Sequence, residues 1–155
     1  MRDLNKWIET GKEMSADRQR RIRRAKKWKF STVATHGLYD LQQALNFHSG
    51  SIMEPVYMSP AQAYTDSYEM EAALSYQMPT WCYSRIANPS TYFLEETIAL
   101  LETYGSDLEA SALATSSGMS AIKTATDPFL IQDETQPPPN IVSCAKVYGG
   151  TVQQF

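Results

Sequence analysis

The residues best suited to chemistry lie where a short apolar run changes into a helical pattern. Residues 112–114 are apolar, Ser117 and Gly118 follow, and Met119 and Ile122 then recur at helical spacing. This order predicts a strand, a tight turn and a helix, whose first N–H groups have no partner inside the helix and can bind an anion. The pattern matches neither the P-loop nor the GxGxxG dinucleotide fingerprint, so a phosphate cradle and an ordinary turn both stay open.

A second candidate pairs a phenol with a guanidinium in a loop. Tyr83 and Arg85 are two residues apart, and in an extended loop such residues point to the same side. A tyrosine hydroxyl and the planar arginine fork can grip one phosphate together. The alternative is a surface arginine beside a packed tyrosine.

A helix of scaffold type follows this loop. It is predicted to start after Asn88 and to close at Gly105. Its apolar face recurs at helical spacing and is expected to point into the core; that face consists of Leu94, Ile98, Leu101 and Tyr104.

The second half of the chain predicts a parallel sheet. A second apolar run of strand type, residues 141–144, follows the polar, proline-rich loop Gln132–Asn140. Strand, helix, loop and strand in this order form a βαβ crossover, in which ligands bind at the carboxyl ends of the strands. Ser117–Met119 and Tyr148–Thr151 both lie at such ends, so we expect them to face the same pocket.

The charge is distributed unevenly. Residues 1–29 carry a net charge of +7 and the rest of the chain carries −10. This first stretch predicts two helices interrupted at Gly11, and the positive charges from Arg18 to Lys27 repel one another. A solvated arm and an arm on the acidic surface of a neighbouring subunit are the open alternatives. No stacking platform or DNA-reading motif accompanies the charges, so a nucleic-acid partner is not expected.

Composition indicates one ordinary domain with its own core, since 43% of the 155 residues are hydrophobic. The chain has no apolar run of about 18 residues and a charged N-terminus, so we expect no membrane span or signal peptide and a cytoplasmic location. Cys82 and Cys144 form no CxxC pair, and His36 and His48 lack a metal-ligand pattern. No disulfide framework and no metal site are therefore expected.

Taken together, the ordered motifs resemble the Cys/Met metabolism family of pyridoxal-phosphate enzymes, which includes cystathionine gamma-synthase, cystathionine lyases, methionine gamma-lyase and O-acetylhomoserine sulfhydrylase. The resemblance covers residues 30–155 and implies an α/β fold, the N-terminal part of fold-type I, with an extended N-terminal arm and the start of the large, mainly parallel-sheet domain. The stretches that carry it are Tyr83-Ser84-Arg85, Asn88-Pro89, Ser117-Gly118-Met119 and Tyr148-Gly149-Gly150-Thr151.

The resemblance implies pyridoxal 5′-phosphate as the cofactor and assigns residues to its phosphate. Ser117 and the backbone N–H groups of Gly118 and Met119 would hold the phosphate at the helix start. Tyr83 and Arg85 match residues that reach into the site of the neighbouring subunit and complete the phosphate clamp.

The resemblance also implies a catalytic role for Tyr148, which matches the tyrosine that stacks on the pyridine ring and assists proton movement near the substrate amino group. The Schiff-base lysine would lie beyond Phe155, because neither Lys123 nor Lys146 has the expected setting rich in serine and threonine. This chain alone is therefore expected to be inactive.

Three regions are expected: a basic helical extension at 1–29, an arm with subunit contacts at 30–80, and the first part of the cofactor-binding α/β domain at 81–155. Within the arm, residues 30–59 have little periodicity and are expected to have no core of their own.

The function implied is that of the N-terminal portion or subunit of an enzyme for elimination or replacement on sulfur-containing or γ-substituted amino acids, at either the β or the γ carbon. Its partners would be a small amino-acid substrate, a second chain that carries the lysine, and homologous subunits in a dimer or tetramer. The alternative is a non-catalytic subunit that docks on a full-length relative.

Overall fold

The computed structural model describes residues 3–132, 135 and 137–155. Residues 1 and 2 of the predicted extension, and residues 133, 134 and 136 of the predicted loop, lie outside this part of the chain. Its internal contacts separate a first unit that ends at Ala112 from a second unit, Leu113–Phe155. The predicted boundaries after residues 29 and 80 stay predictions.

Five helices lie in the described residues of the first unit, and polar side chains begin most of them. Asp3, Asp40, Asp66 and Asn88 each accept a hydrogen bond from a backbone N–H in the first turn of the helix that follows, which satisfies a donor that the helix itself cannot pair. The helices are α1 (Leu4–Ala25), α2 (Phe30–His36), α3 (Leu41–Phe47), α4 (Ser67–Leu74) and α5 (Pro89–Glu102).

The second unit contains α6 (Gly118–Thr126), a 3₁₀ turn at Asp127–Phe129 and α7 (Gly149–Gln154). Neither predicted strand, residues 112–114 nor 141–144, forms a strand here. A strand is defined by hydrogen bonds to a neighbouring strand, and in the described part of the chain the only β-type pairing is an isolated bridge in the first unit. The family fold predicts the parallel sheet, and the structure leaves it unconfirmed.

The prediction that Gly11 interrupts the first helix is wrong, because α1 runs through it without a break. Gly11 is buried against the segment that follows α4, where a Cβ would lie 2.4 Å from the carbonyl oxygen of Gln77 and 2.9 Å from the Cα of Met78. The glycine therefore permits a close approach between two backbones rather than ending a helix. None of the helices in the described residues is long and apolar enough to cross a membrane.

The core of the first unit consists of three clusters. One lies between the end of α1, α2 and α5; a second joins Tyr39, α3 and Phe93; the third joins the start of α1 to α4. Val33, Leu38 and Ala44 are buried within residues 30–59, in clusters that they share with α1 and α5. The expectation that this stretch has no core of its own stays a prediction. Short helices with one or two buried residues gave too little periodicity to be recognised in the sequence.

The helix predicted after Asn88 is confirmed, but its buried face differs from the predicted one. Phe93 and Leu100 are buried, whereas Leu94 and Ile98 are 53% and 42% exposed. Apolar residues surround most of this helix, so spacing alone did not distinguish the two faces. The contacts with α1 and α2 decide which one is covered.

The basic residues of α1 find partners within the first unit. Arg18 bonds Glu96 and donates to the hydroxyl of Tyr92 at 2.8 Å, and Arg24 pairs with Asp40. Burial by itself would lower the pKa of Arg18, but its bonds to Glu96 and Tyr92 raise it above the ordinary value. The positive charge of α1 is therefore partly neutralised by acidic residues elsewhere in the same chain.

We expect Gly11→Ala to lower the free energy of unfolding by about 1–3 kcal/mol, because the added methyl group meets backbone atoms that cannot move aside. Ser15→Ala, on the exposed side of the same helix, is the matched control and should change stability little. Urea unfolding followed by circular dichroism measures both. Helix propensity alone would make the Gly11→Ala protein more stable than the parent. That result would contradict the close approach of the two backbones at Gly11.

Candidate functional site

The start of α6 has the geometry of an anion site. Ser117 caps the helix by accepting a hydrogen bond from Ser120 N–H at 3.1 Å, and the first helical bond runs from Ala121 N–H to the Ser117 carbonyl. Gly118 and Met119 occupy the first two positions, where a helix has no internal acceptor for their N–H groups. Both groups, with the positive end of the helix dipole, are placed to bind an anion.

The start of α7 lies beside the start of α6 within the second unit. Thr151 is buried and its hydroxyl lies 3.8 Å from the sulfur of Met119. A Cβ on Gly150 would lie 3.0 Å from Cε1 of Tyr148 and 3.2 Å from that same sulfur. The structure thus brings the two predicted stretches together, at the starts of two helices rather than at the ends of two strands.

This end of the second unit is open to solvent on one side. Apart from its chain neighbours and its own helix backbone, a Cβ on Gly118 would meet no described atom within 4 Å, so the backbone there is open to a close approach. The ring of Tyr148 is 75% exposed and thus free to stack. The residues present fit a phosphorylated aromatic cofactor: N–H donors for the phosphate and an aromatic face for the ring.

Tyr83 and Arg85 form the other candidate group, which belongs to the first unit. The chain turns after Tyr83, whose carbonyl accepts hydrogen bonds from the N–H groups of Ile86 and Ala87. The loop is therefore not extended, but the two side chains still lie together, with the Arg85 guanidinium 5.1 Å from the centre of the Tyr83 ring. Arg85 is exposed and makes no ion pair with any residue in the described ranges.

Segment 59–62 holds this loop in place. Ala61 and Tyr83 form an antiparallel bridge. Ser84 N–H donates to the carbonyl of Pro60 at 2.9 Å, and Gln62 N–H donates to that of Cys82 at 3.3 Å. The position of Tyr83 and Arg85 is thus fixed by a part of the chain about 20 residues away, which no local pattern indicated.

An aromatic cluster includes Tyr57, two residues before this segment. The hydroxyl of Tyr57 bonds Nδ1 of His48, and His48 also packs against the rings of Tyr39 and Phe93. Burial lowers the pKa of His48 below its ordinary value, and burial together with the nearby Tyr39 raises the pKa of Tyr57. His48 has a structural position, and no group of three metal-ligand side chains occurs among the described residues.

Comparison with known families decides the identity of the chain. The profile of the family described as Cys/Met metabolism PLP-dependent enzyme matches residues 32–155. The chain belongs to this family. The predicted resemblance and the pyridoxal-phosphate cofactor of the family are thereby confirmed. The roles of Tyr83, Arg85, Ser117–Met119 and Tyr148 stay predictions.

Curated relatives are found among fungal enzymes. Homocysteine/cysteine synthase of Saccharomyces cerevisiae is 37% identical over 101 residues, which are 65% of this chain and 20% of the relative. The enzyme of the same name from Kluyveromyces lactis is 35% identical, with the same coverage. Homocysteine synthase of Schizosaccharomyces pombe is 35% identical over 65% of this chain and 21% of the relative. The aligned part thus spans about a fifth of each relative's length, and no solved structure matches.

Sequence reasoning missed the residues that hold the Tyr83 loop. Ser84, Asn88 and Ser90 contribute side-chain groups there and Tyr57 contributes its backbone, and of these only Asn88 carried a signal, as a helix cap before Pro89. A capping residue predicts where a helix begins, but it does not predict the other hydrogen bonds that the side-chain amide of Asn88 makes.

We expect the stability contribution of His48 to fall as the pH drops below about 6.5. Its pKa is lowered in the folded chain, so the unfolded chain takes up the proton first and gains stability relative to the folded one. The difference in unfolding free energy between the parent and His48→Gln should shrink from pH 8 toward pH 5. Exposed His36 provides the control variant, His36→Gln. A difference that grows on acidification overturns the assignment.

Proposed function

We propose that this chain forms the N-terminal portion of a pyridoxal-phosphate enzyme that replaces a substituent on an amino acid with sulfur, giving homocysteine or cysteine. Membership of the Cys/Met metabolism family supports the cofactor, and the names of the fungal relatives support the product. Elimination on the same class of amino acid is the competing reaction. Replacement leaves a new substituent on the reacting β or γ carbon of the product, whereas elimination leaves none.

The observation that carries the proposal is the meeting of two helix starts in the second unit. One end of this unit carries the N–H groups of Gly118 and Met119 together with the ring of Tyr148. Gly150 lies between them, next to both the Tyr148 ring and the Met119 sulfur. Donors for a phosphate and a face for a conjugated ring are the two features that a ligand of this chemistry requires.

Each residue then has a physical role. Ser117 keeps the start of α6 capped while Gly118 and Met119 donate to the phosphate. The Tyr148 ring orients the cofactor ring, and its hydroxyl holds or passes a proton near the substrate amino group. When bound, pyridoxal phosphate supplies an electron sink for the amino-acid substrate.

Tyr83 and Arg85 are proposed to complete the phosphate clamp of a neighbouring subunit, as the family resemblance implies. The exposed guanidinium, held over the Tyr83 ring, is suited to a bidentate contact with phosphate. Homologous subunits in a dimer or tetramer follow from this arrangement, because the clamp then serves a site on another copy.

The lysine that holds the cofactor is proposed to lie on polypeptide outside these 155 residues. Lys123 is on the surface of α6, where it pairs with Asp127 at 2.7 Å, and Lys146 is exposed. In the described part of the second unit, neither lysine side chain bonds to the start of α6.

Borohydride reduction tests this assignment, because it fixes the cofactor covalently to its lysine. The tagged chain is purified from its own cells in the presence of pyridoxal phosphate. We expect it to be bound to a partner polypeptide, or to be part of a longer one, and we expect peptide mapping to find the label on that additional sequence. Label on Lys123 or Lys146 would contradict the assignment. Absence of any label, with the chain bound to a complete relative, would favour the non-catalytic docking subunit.

The residue roles are tested by comparing the affinities for pyridoxal phosphate and for pyridoxal in the complete enzyme. Arg85→Ala should weaken only the phosphorylated form, by about 10-fold to 100-fold, because a charged hydrogen bond to the phosphate is lost. Tyr148→Ala should weaken both forms, since the ring is common to them. Exposed Arg23→Ala is the control. Equal losses of both forms in Arg85→Ala would rule out its phosphate role.

A further inference from the structure

Ser84 stands between the two proposed phosphate residues and is held by both its backbone and its side chain. Its N–H donates to the carbonyl of Pro60 at 2.9 Å. Its hydroxyl donates to the carbonyl of Ser59 and accepts a hydrogen bond from the side-chain amide of Asn88 at 2.9 Å. The residue is half-buried and all these partners lie outside the Tyr83–Arg85 stretch.

Asn88 uses its whole side-chain amide in this network. Nδ2 donates to Ser84 Oγ and, at 3.1 Å, to the carbonyl of Tyr57. Oδ1 accepts from Ser90 N–H at 2.9 Å and so caps α5. One amide therefore links the loop, the segment at Tyr57 and the start of a helix.

A return contact closes the network, since the N–H of Tyr57 donates to the hydroxyl of Ser90 at 2.9 Å. Loop, segment and helix start cannot shift independently without breaking at least one of these bonds. The network is satisfied within the described residues, where no buried side-chain nitrogen or oxygen lacks a partner.

We propose that Ser84 and Asn88 are positioning residues for the phosphate clamp, acting through Tyr83 and Arg85. This inference rests on the proposed function of those two residues. A long arginine side chain loses rotamer freedom when it binds, and the loss is smaller if its backbone and its stacking partner are already fixed. Ser84 and Asn88 supply that fixation without touching the phosphate.

The test uses the complete enzyme and the ratio of the affinities for pyridoxal phosphate and pyridoxal, measured by absorbance or fluorescence titration. Ser84→Ala removes the shared hydroxyl without a change of charge, and we expect it to lower the ratio about threefold to tenfold. Ser84→Thr keeps a hydroxyl and should restore the ratio. Ser15→Ala is the matched control on an exposed surface.

Asn88→Asp separates positioning from helix capping. Aspartate caps a helix as well as asparagine does, so the stability of α5 should be kept, while both Nδ2 hydrogen bonds are lost. We expect a lowered affinity ratio with an unchanged affinity for pyridoxal. Asn46→Asp, on exposed α3, controls for the added charge.

A double variant shows whether Ser84 acts through Arg85. With Arg85→Ala already present, Ser84→Ala should lower the ratio no further, whereas a merely structural role would give independent losses. If Arg85→Ala lowers the ratio but Ser84→Ala does not, the positioning role is wrong and the proposed function stands. If Arg85→Ala leaves the ratio unchanged, the proposed role of Arg85 is itself wrong.

Discussion

The first unit depends on how α5 begins. Asn88 caps this helix and ties it to the Tyr83 loop, and Pro89, buried at the first helical position, fixes the direction in which the helix departs. From that start α5 carries Phe93 into one hydrophobic cluster and Leu100 into another, and presents Glu96 to the first helix. The same few residues thus set both the core and the place of the candidate phosphate loop.

The first helix is held at two points, Gly11 and Arg18, by interactions of different kinds. Near its start, the absence of a side chain at Gly11 lets the backbone approach Gln77 and Met78. Near its end, Arg18 is held by a charged hydrogen bond to Glu96. A helix of 22 residues spans about 33 Å at 1.5 Å per residue, and its start packs in the cluster with α4 while its end packs in the cluster with α2 and α5.

The second unit relies on local backbone geometry instead of on burial. Thr151 is its one buried residue in the described part, and its proposed ligand donors are N–H groups at a helix start. Such donors need only a capping residue such as Ser117 and a neighbour without a Cβ such as Gly118. Because these requirements are local, a short motif in the sequence was enough to predict an anion site, and that role stays a prediction.

The sequence by itself determined what depends on neighbouring residues: the start of α5 at Asn88, the start of α6 at Ser117, and the motifs that identify the family, because caps and turns are local. Only the tertiary structure decided which face of α5 is buried, that Gly11 joins two backbones, and that Ser84 is fixed by residues 59–60. These outcomes depend on which surfaces pack together across long separations in sequence. Helical spacing alone is compatible with several different packing arrangements.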